Sequence, residues 1–192
     1  MKGLLKPSLL TVGLIVLAML FGCTTTEFDP IVQTDGINHQ PSVYIEPHLN
    51  GCKGEPVCTR IGAEWHDNKP NNVLFIVALS GMHTEITGAE LYIDGDVVAL
   101  NELIQRDEML YRQYNIWSIN WDTTHQAFLS SVAVAQRLAN AESAYLTVET
   151  TNGTFTDFLY DGYGKRAESY DALWRFLHEV DTFSPSVISD FE

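Results

Sequence analysis

Apolar and polar positions along the second half of the chain fall into short blocks with two distinct periods. Val73–Leu79 is a continuous apolar run rich in strand formers and closed by Ser80-Gly81. A run of that kind predicts a central strand buried on both faces. Glu85–Asp94 alternates more loosely, and Leu91–Val98 folds back on itself around Asp94-Gly95. That dipeptide is a strong hairpin signal because both central residues of the tight turn need positive φ. Tyr114–Trp121 predicts a further strand, with Asn115, Trp117, Ile119 and Trp121 on one face and Tyr114 and Ile116 on the other. From Asp122 or Thr123, as helix cap, the period changes to three and four through Phe128, Val132, Ala135 and Leu138 or Ala139. Ser143–Thr150 and Thr154–Tyr160 predict a second hairpin around Thr151-Asn152-Gly153, and Asp161–Gly164 a turn. Ala167, Tyr170, Leu173, Trp174, Leu177 and Val180 then mark one face of a second helix. Together these elements predict an α+β fold: a largely antiparallel sheet built from hairpins, with two packing amphipathic helices.

The first half carries weaker patterning. Ser42–Asn71 is irregular apart from a short strand at Val43–Ile45, with Ile61 and Trp65 packing back on the core and a loop at Asn68–Asn72. Glu102–Leu110 fits a loop or short helix, and Asp181–Glu192 a frayed acidic tail that follows the last helix. Thr24–Pro41 is polar and without period, which predicts a flexible tether. The expected organisation is a signal segment at 1–22, a tether at 23–41, one globular domain at 42–182 and a tail at 183–192.

The signal segment has Lys2 and Lys6 ahead of an uncharged run, Leu9–Phe21. A spanning helix needs about 20 apolar residues, so this shorter run fits the core of an export signal. It ends in Leu20-Phe21-Gly22-Cys23, which resembles the lipobox of bacterial lipoproteins. The resemblance implies that Cys23 receives a diacylglycerol, that cleavage precedes it, and that acyl chains on Cys23 hold the protein to a membrane. One chain alone binds marginally, whereas two or three anchor firmly. Thr24, rather than Asp, follows the cysteine. By the same resemblance this favours passage to the outer membrane, with the folded part in the periplasm or at the cell surface.

That assignment changes the charge and the cysteine arithmetic. The chain has 11 basic and 25 acidic residues. Without Lys2 and Lys6, 9 basic residues face 25 acidic ones, a net of −16. Such a balance argues against a nucleic-acid partner, whose phosphates need a basic surface. With Cys23 acylated, Cys52 and Cys58 remain as a pair, and in an oxidising compartment a pair predicts a disulfide. Redox pairs usually have two intervening residues rather than five. A zinc site would need further ligands, such as His48 and His66, at a spacing that fits no known finger.

Candidate chemistry in the folded part is sparse. Tyr111, Tyr114, Trp117 and Trp121, with Asp122 beside them, form either a sugar-stacking platform or part of the core. Asp94 and Asp96 fail the calcium-loop pattern because the next ligand position is Val98. No nucleophile elbow, zinc-protease helix or phosphate-cradling loop is present, so no catalytic residue and no cofactor is assigned. His66, His83 and His125 are candidates for convergence on a metal. The order helix, hairpin, glycine turn, helix over residues 126–178 resembles, at the level of fold alone, small periplasmic proteins of the invasion-associated locus B type. The expectation is therefore a non-catalytic, membrane-anchored envelope lipoprotein that binds a protein partner or supports an envelope assembly. The alternatives are a protein acting on or binding cell-wall or surface carbohydrate, and a metal-binding periplasmic lipoprotein.

Overall fold

The computed structural model describes residues 28–34, 40–52, 54–102 and 123–184. In chain order these form β1 (Ile31–Thr34), β2 (Pro41–Leu49), β3 (Cys58–His66), β4 (Asn72–Ser80), β5 (Ile86–Ile93), β6 (Asp96–Glu102), β7 (Thr123–Ser131), α1 (Val132–Ala139), β8 (Ala144–Thr150), β9 (Gly153–Tyr160) and α2 (Glu168–Phe183). The strands make one sheet in the order β1-β2-β3-β4-β7-β6-β5-β8-β9. Every neighbouring pair is antiparallel. Among the described residues the fold is α+β, with a largely antiparallel sheet and two helices.

The expected central strand is β4. Val73, Phe75, Val77 and Leu79 face the main core, while Leu74 packs with Ala127 and Leu129 on the other side. The main core also takes Leu138 from α1 and Leu173, Phe176 and Leu177 from α2, so the helices cover the same side of the sheet. The β5–β6 hairpin turns at Asp94 (φ 51°) and Gly95 (φ 90°), as its sequence requires. The β8–β9 hairpin forms with its turn shifted by one residue. Thr150 pairs with Gly153, and Gly153 rather than Asn152 takes the positive φ, 141°. The Thr150 hydroxyl fastens this turn, accepting from Asn152 N at 3.1 Å and donating to Gly153 O at 2.8 Å.

Four expectations change. First, Thr123–Ser131 is strand, not helix. The edge of β4 demands a partner, and β7 meets it residue for residue from Asn72↔Ser131 to Ser80↔Thr123. Tertiary pairing here overrides a helical period. Helix α1 starts only at Val132, capped by Ser131, whose hydroxyl accepts from Val134 N at 3.3 Å. Second, Ser42–Asn71 is not irregular but holds two nine-residue strands. Pro47 and Gly62 disguise them. Pro47 sits where the β2–β3 register slips between Ile45 and His48, a bulge that asks for no ladder N–H. Gly62 lies under that bulge, where a Cβ would come within 2.5 Å of Ile45 O and 2.7 Å of Pro47 N. Third, Ile31–Thr34, inside the expected tether, forms β1 and pairs with β2 at the sheet edge. Fourth, α2 runs to Phe183 and takes in Asp181 and Thr182. The expected element beyond Glu102 and the strand Tyr114–Trp121 lie outside the described residues.

The sheet curls until β9 returns to the β2–β3 corner. Gly51 N donates to Phe158 O at 2.7 Å. A Cβ on Gly51 would lie 2.0 Å from the Phe158 ring, so only glycine fits there. Behind this contact runs a buried polar chain. Asp157 Oδ2 accepts from Thr59 N at 2.7 Å and from Thr59 Oγ1 at 2.9 Å. Thr59 Oγ1 in turn accepts from Asn50 Nδ2 at 2.7 Å, and Asn50 Oδ1 accepts from Ser169 Oγ of α2. All four side chains are buried. Cys52 and Cys58 are disulfide-bonded with Cα atoms 5.5 Å apart, and the small loop they close leads directly from Asn50 and Gly51 into Thr59.

Replacing Asp157 by Ala orphans two buried Thr59 donors. The expected cost is about 2–4 kcal/mol, and Asp157→Asn, which keeps an acceptor oxygen, costs less. Urea unfolding of the two variants beside the wild type checks the order.

Candidate functional site

Beyond the closure, β9 leads into the site. Asp161 N donates to Lys165 O at 3.1 Å, and Asp161 Oδ1 accepts from the backbone N of Tyr163 at 2.9 Å and of Lys165 at 3.0 Å. Those bonds, the Tyr163 one foremost, hold the Asp161 carboxyl below its ordinary pKa. Gly162 and Gly164 take positive φ, 77° and 100°, so the turn is tight. It places Arg166 opposite Tyr160 and starts α2 at Glu168.

A cleft of about 760 Å³ opens between this turn, the end of α1 and the first half of α2. Its walls include Asn140 and Glu142 after α1, Tyr160 and Arg166, and Tyr170, Asp171, Trp174 and Arg175 from α2. Tyr170 is the floor. Its ring lies 5.5 Å from that of Tyr160, and its hydroxyl donates to Ala139 O at 2.6 Å. Burial pushes the Tyr170 phenol above its ordinary pKa, so it stays protonated and offers no base at neutral pH. The Arg166 guanidinium lies over both rings, 5.6 Å from the Tyr160 centroid and 5.2 Å from that of Tyr170. Among the described residues no carboxylate pairs with Arg166, so the rings orient a planar cation whose hydrogen-bond donors remain available. Arg175 is already engaged, donating to Asp29 Oδ1 at 2.6 Å. Trp174 stacks on His178 at 5.7 Å with 7° between the planes, and it is 47% exposed.

The cleft therefore pairs an aromatic wall with a poised cation, and carries Glu142 and Asp171 beside it. Its polar groups suit recognition of a ligand bearing a carboxylate next to an apolar group. No nucleophile–base pair lines it.

The residues singled out in the sequence fall elsewhere. Cys23, Tyr111, Tyr114, Trp117, Trp121 and Asp122 lie outside the described residues. His66, His83 and His125 do not converge. His66 Nε2 contacts Glu64 Oε1 at 2.6 Å near one end of β3. His125 stands on β7 opposite Ala78, whereas Trp65, next to His66, stands opposite Val73. Five positions of β4 separate those two rows, about 17 Å at the rise of a strand. His83 is exposed in the loop after β4. Among the described residues no group of three or more His, Cys, Asp or Glu could hold a metal ion. Ser42 pairs with His66 across the strands, but among the described residues no hydrogen bond joins the two side chains. Trp174, expected on the buried face of α2, is instead its half-exposed flank. Arg166 gave no signal in the sequence, because its meaning depends on two tyrosines brought to it from β9 and α2.

No family model, no curated protein and no solved structure matches the chain. Among the described residues no helix is long and apolar enough to cross a membrane.

Burial lowers the His125 pKa below its ordinary 6.5. The unfolded chain therefore takes up a proton at that position before the folded one does. His125 contributes a stability that is constant above pH 6.5 and falls as the pH drops below it. Chemical denaturation between pH 7.5 and 5 should show this decline, and His125→Gln should flatten it.

Proposed function

We propose that this protein is a non-catalytic lipoprotein of the bacterial envelope, anchored through acyl chains on Cys23, whose cleft between the helices binds a protein partner. The anchor is supported by Leu20-Phe21-Gly22-Cys23 and the uncharged run before it. The binding role is supported by one observation above the others: Arg166 is held over Tyr160 and Tyr170 with no carboxylate pairing it among the described residues. A guanidinium held in that way favours a planar carboxylate, supplied by an acidic side chain or a chain end, with an apolar neighbour lying on Trp174. The disulfide-bonded Cys52 and Cys58 are compatible with an oxidising compartment. The excess of acid over base disfavours nucleic acid as the partner.

A second reading has an observation in its favour. Trp174 lies flat against His178 and leaves ring surface open, as sugar stacking needs. On this reading the cleft takes cell-wall or surface carbohydrate.

Two experiments test these proposals. Cys23→Ser should abolish acyl labelling and leave the precursor uncut; a processed, membrane-bound variant would defeat the anchor. A photo-crosslinker placed at Trp174 in intact cells should trap a discrete protein. Arg166→Ala should weaken that partner's binding by about tenfold or more, the loss of one charge-assisted hydrogen bond. Binding of wall oligosaccharide that is insensitive to Arg166→Ala, with no trapped protein, would favour the carbohydrate reading.

A further inference from the structure

The cleft beside Arg166 is blind at one end. Gly162 of the glycine turn abuts the loop after α1, where a Cβ on it would lie 3.5 Å from Glu142 O and 3.5 Å from Ser143 Cβ. Gly162 and Glu142 both line the cleft. The two walls that meet there are held from behind. Ser143 N donates to Asp94 Oδ1 at 2.8 Å and Asp94 N donates to Ser143 O at 3.0 Å, which pins the loop after α1 to the β5–β6 turn. The glycine turn is fixed in its own right by the two amides that donate to Asp161 Oδ1. A ligand therefore meets a preformed end wall and loses little to ordering it.

The groups along the cleft are spaced for the end of a polypeptide. Arg166 leaves the same turn that carries Gly162, and its guanidinium lies over Tyr160 and Tyr170. Trp174 follows Tyr170 by four residues of α2, about 6 Å along the helix axis. Consecutive Cα atoms of a peptide are about 3.8 Å apart, so a carboxylate on Arg166 and an apolar side chain on Trp174 belong to one residue or to two neighbours. Glu142 and Asp171 set the charge of the ligand. Two carboxylates beside one available guanidinium repel a dianion or a run of acidic side chains, while they can accept N–H groups of a peptide. An acidic side chain inside a polypeptide fits less well, because its backbone continues in both directions and one of them meets the blind end. A chain terminus brings one carboxylate and no continuation.

Building on the partner-binding role proposed above, we infer that the cleft is a receptor for the free carboxyl terminus of a polypeptide. Arg166 holds the α-carboxylate, the blind end stops the chain, and an apolar side chain of the last or next-to-last residue lies on Trp174.

The test uses the full lipidated protein in detergent and two mixtures of random hexapeptides, one with free carboxyl ends and one amidated. The free acids should be retained, with a bias towards apolar last or next-to-last residues. A peptide taken from that pool should bind about tenfold or more weakly as its amide. Arg166→Ala should bring the acid down to the level of the amide. Arg166→Lys, which keeps the charge but not the planar fork, should recover part of the difference. Amides retained as well as free acids, an interior glutamate that replaces the free end without loss, or retention of neither mixture overturns the receptor for chain ends. An Arg166→Ala protein that still prefers acid to amide overturns it too. The broader partner-binding role survives any of these results, provided that the crosslinker at position 174 traps a discrete protein.

Discussion

A buried carboxylate ties the last strand of this sheet, β9, back to β3. A charge removed from water is tolerated only when its oxygens are fed by donors, and Asp157 receives both the amide and the hydroxyl of Thr59 on one oxygen. Much else follows from that arrangement. Thr59 is locked by Asn50, Asn50 by Ser169, and Ser169 belongs to the first turn of α2. The helix that covers β2 and β3 is thereby registered against them by hydrogen bonds as well as by apolar packing. Beyond Asp157, β9 continues to Tyr160 and the glycine turn, so the cleft inherits its geometry from the closure. The disulfide adds its constraint at the same corner, where a chain-entropy argument gives so small a loop about 2 kcal/mol.

Local patterning revealed those parts of the fold whose cause is local. Asp94-Gly95, the apolar run of β4 and the periodic face of α2 each carry their own reason in a few neighbouring residues. What failed had a distant cause. Thr123–Ser131 is strand because β4 needs an edge partner, and nothing inside that segment says so. β2 and β3 were hidden by Pro47 and Gly62, which look like breaks alone and are complementary only together, a bulge over a residue without Cβ. β1 has too few residues to show a period and exists because β2 offers it an edge.

The candidate site was less legible for the same reason. Three of the histidines that attracted attention are set apart by the sheet, two of them by several rows of β4. The cleft draws on α1, β9, a turn and α2, and its decisive group, Arg166, is an ordinary exposed arginine until two tyrosines from different elements lie beneath it. Trp174 belongs to an apolar face by spacing, yet stands at the edge of that face, where the core ends. A binding surface assembled in this way leaves no motif, and its chemistry is visible only as juxtaposition.

The Thr59–Asp157 bond also bears on how the molecule is made. It joins residues 98 positions apart, and Ser169 and Asn50 are 119 apart. Contacts of such separation pay their loop-closure entropy before they return anything, and they slow folding. The hairpins β3–β4, β5–β6 and β8–β9 close over short distances and can form early. The β2–β3 corner has to wait for the last quarter of the chain, which supplies both its hydrogen-bond acceptor and its covering helix. Until β9 and α2 arrive, Val43, Ile45 and Ile61 have no roof. A chain emerging from its amino end thus stays open for most of its synthesis, with its apolar strand faces exposed until the last two elements close over them.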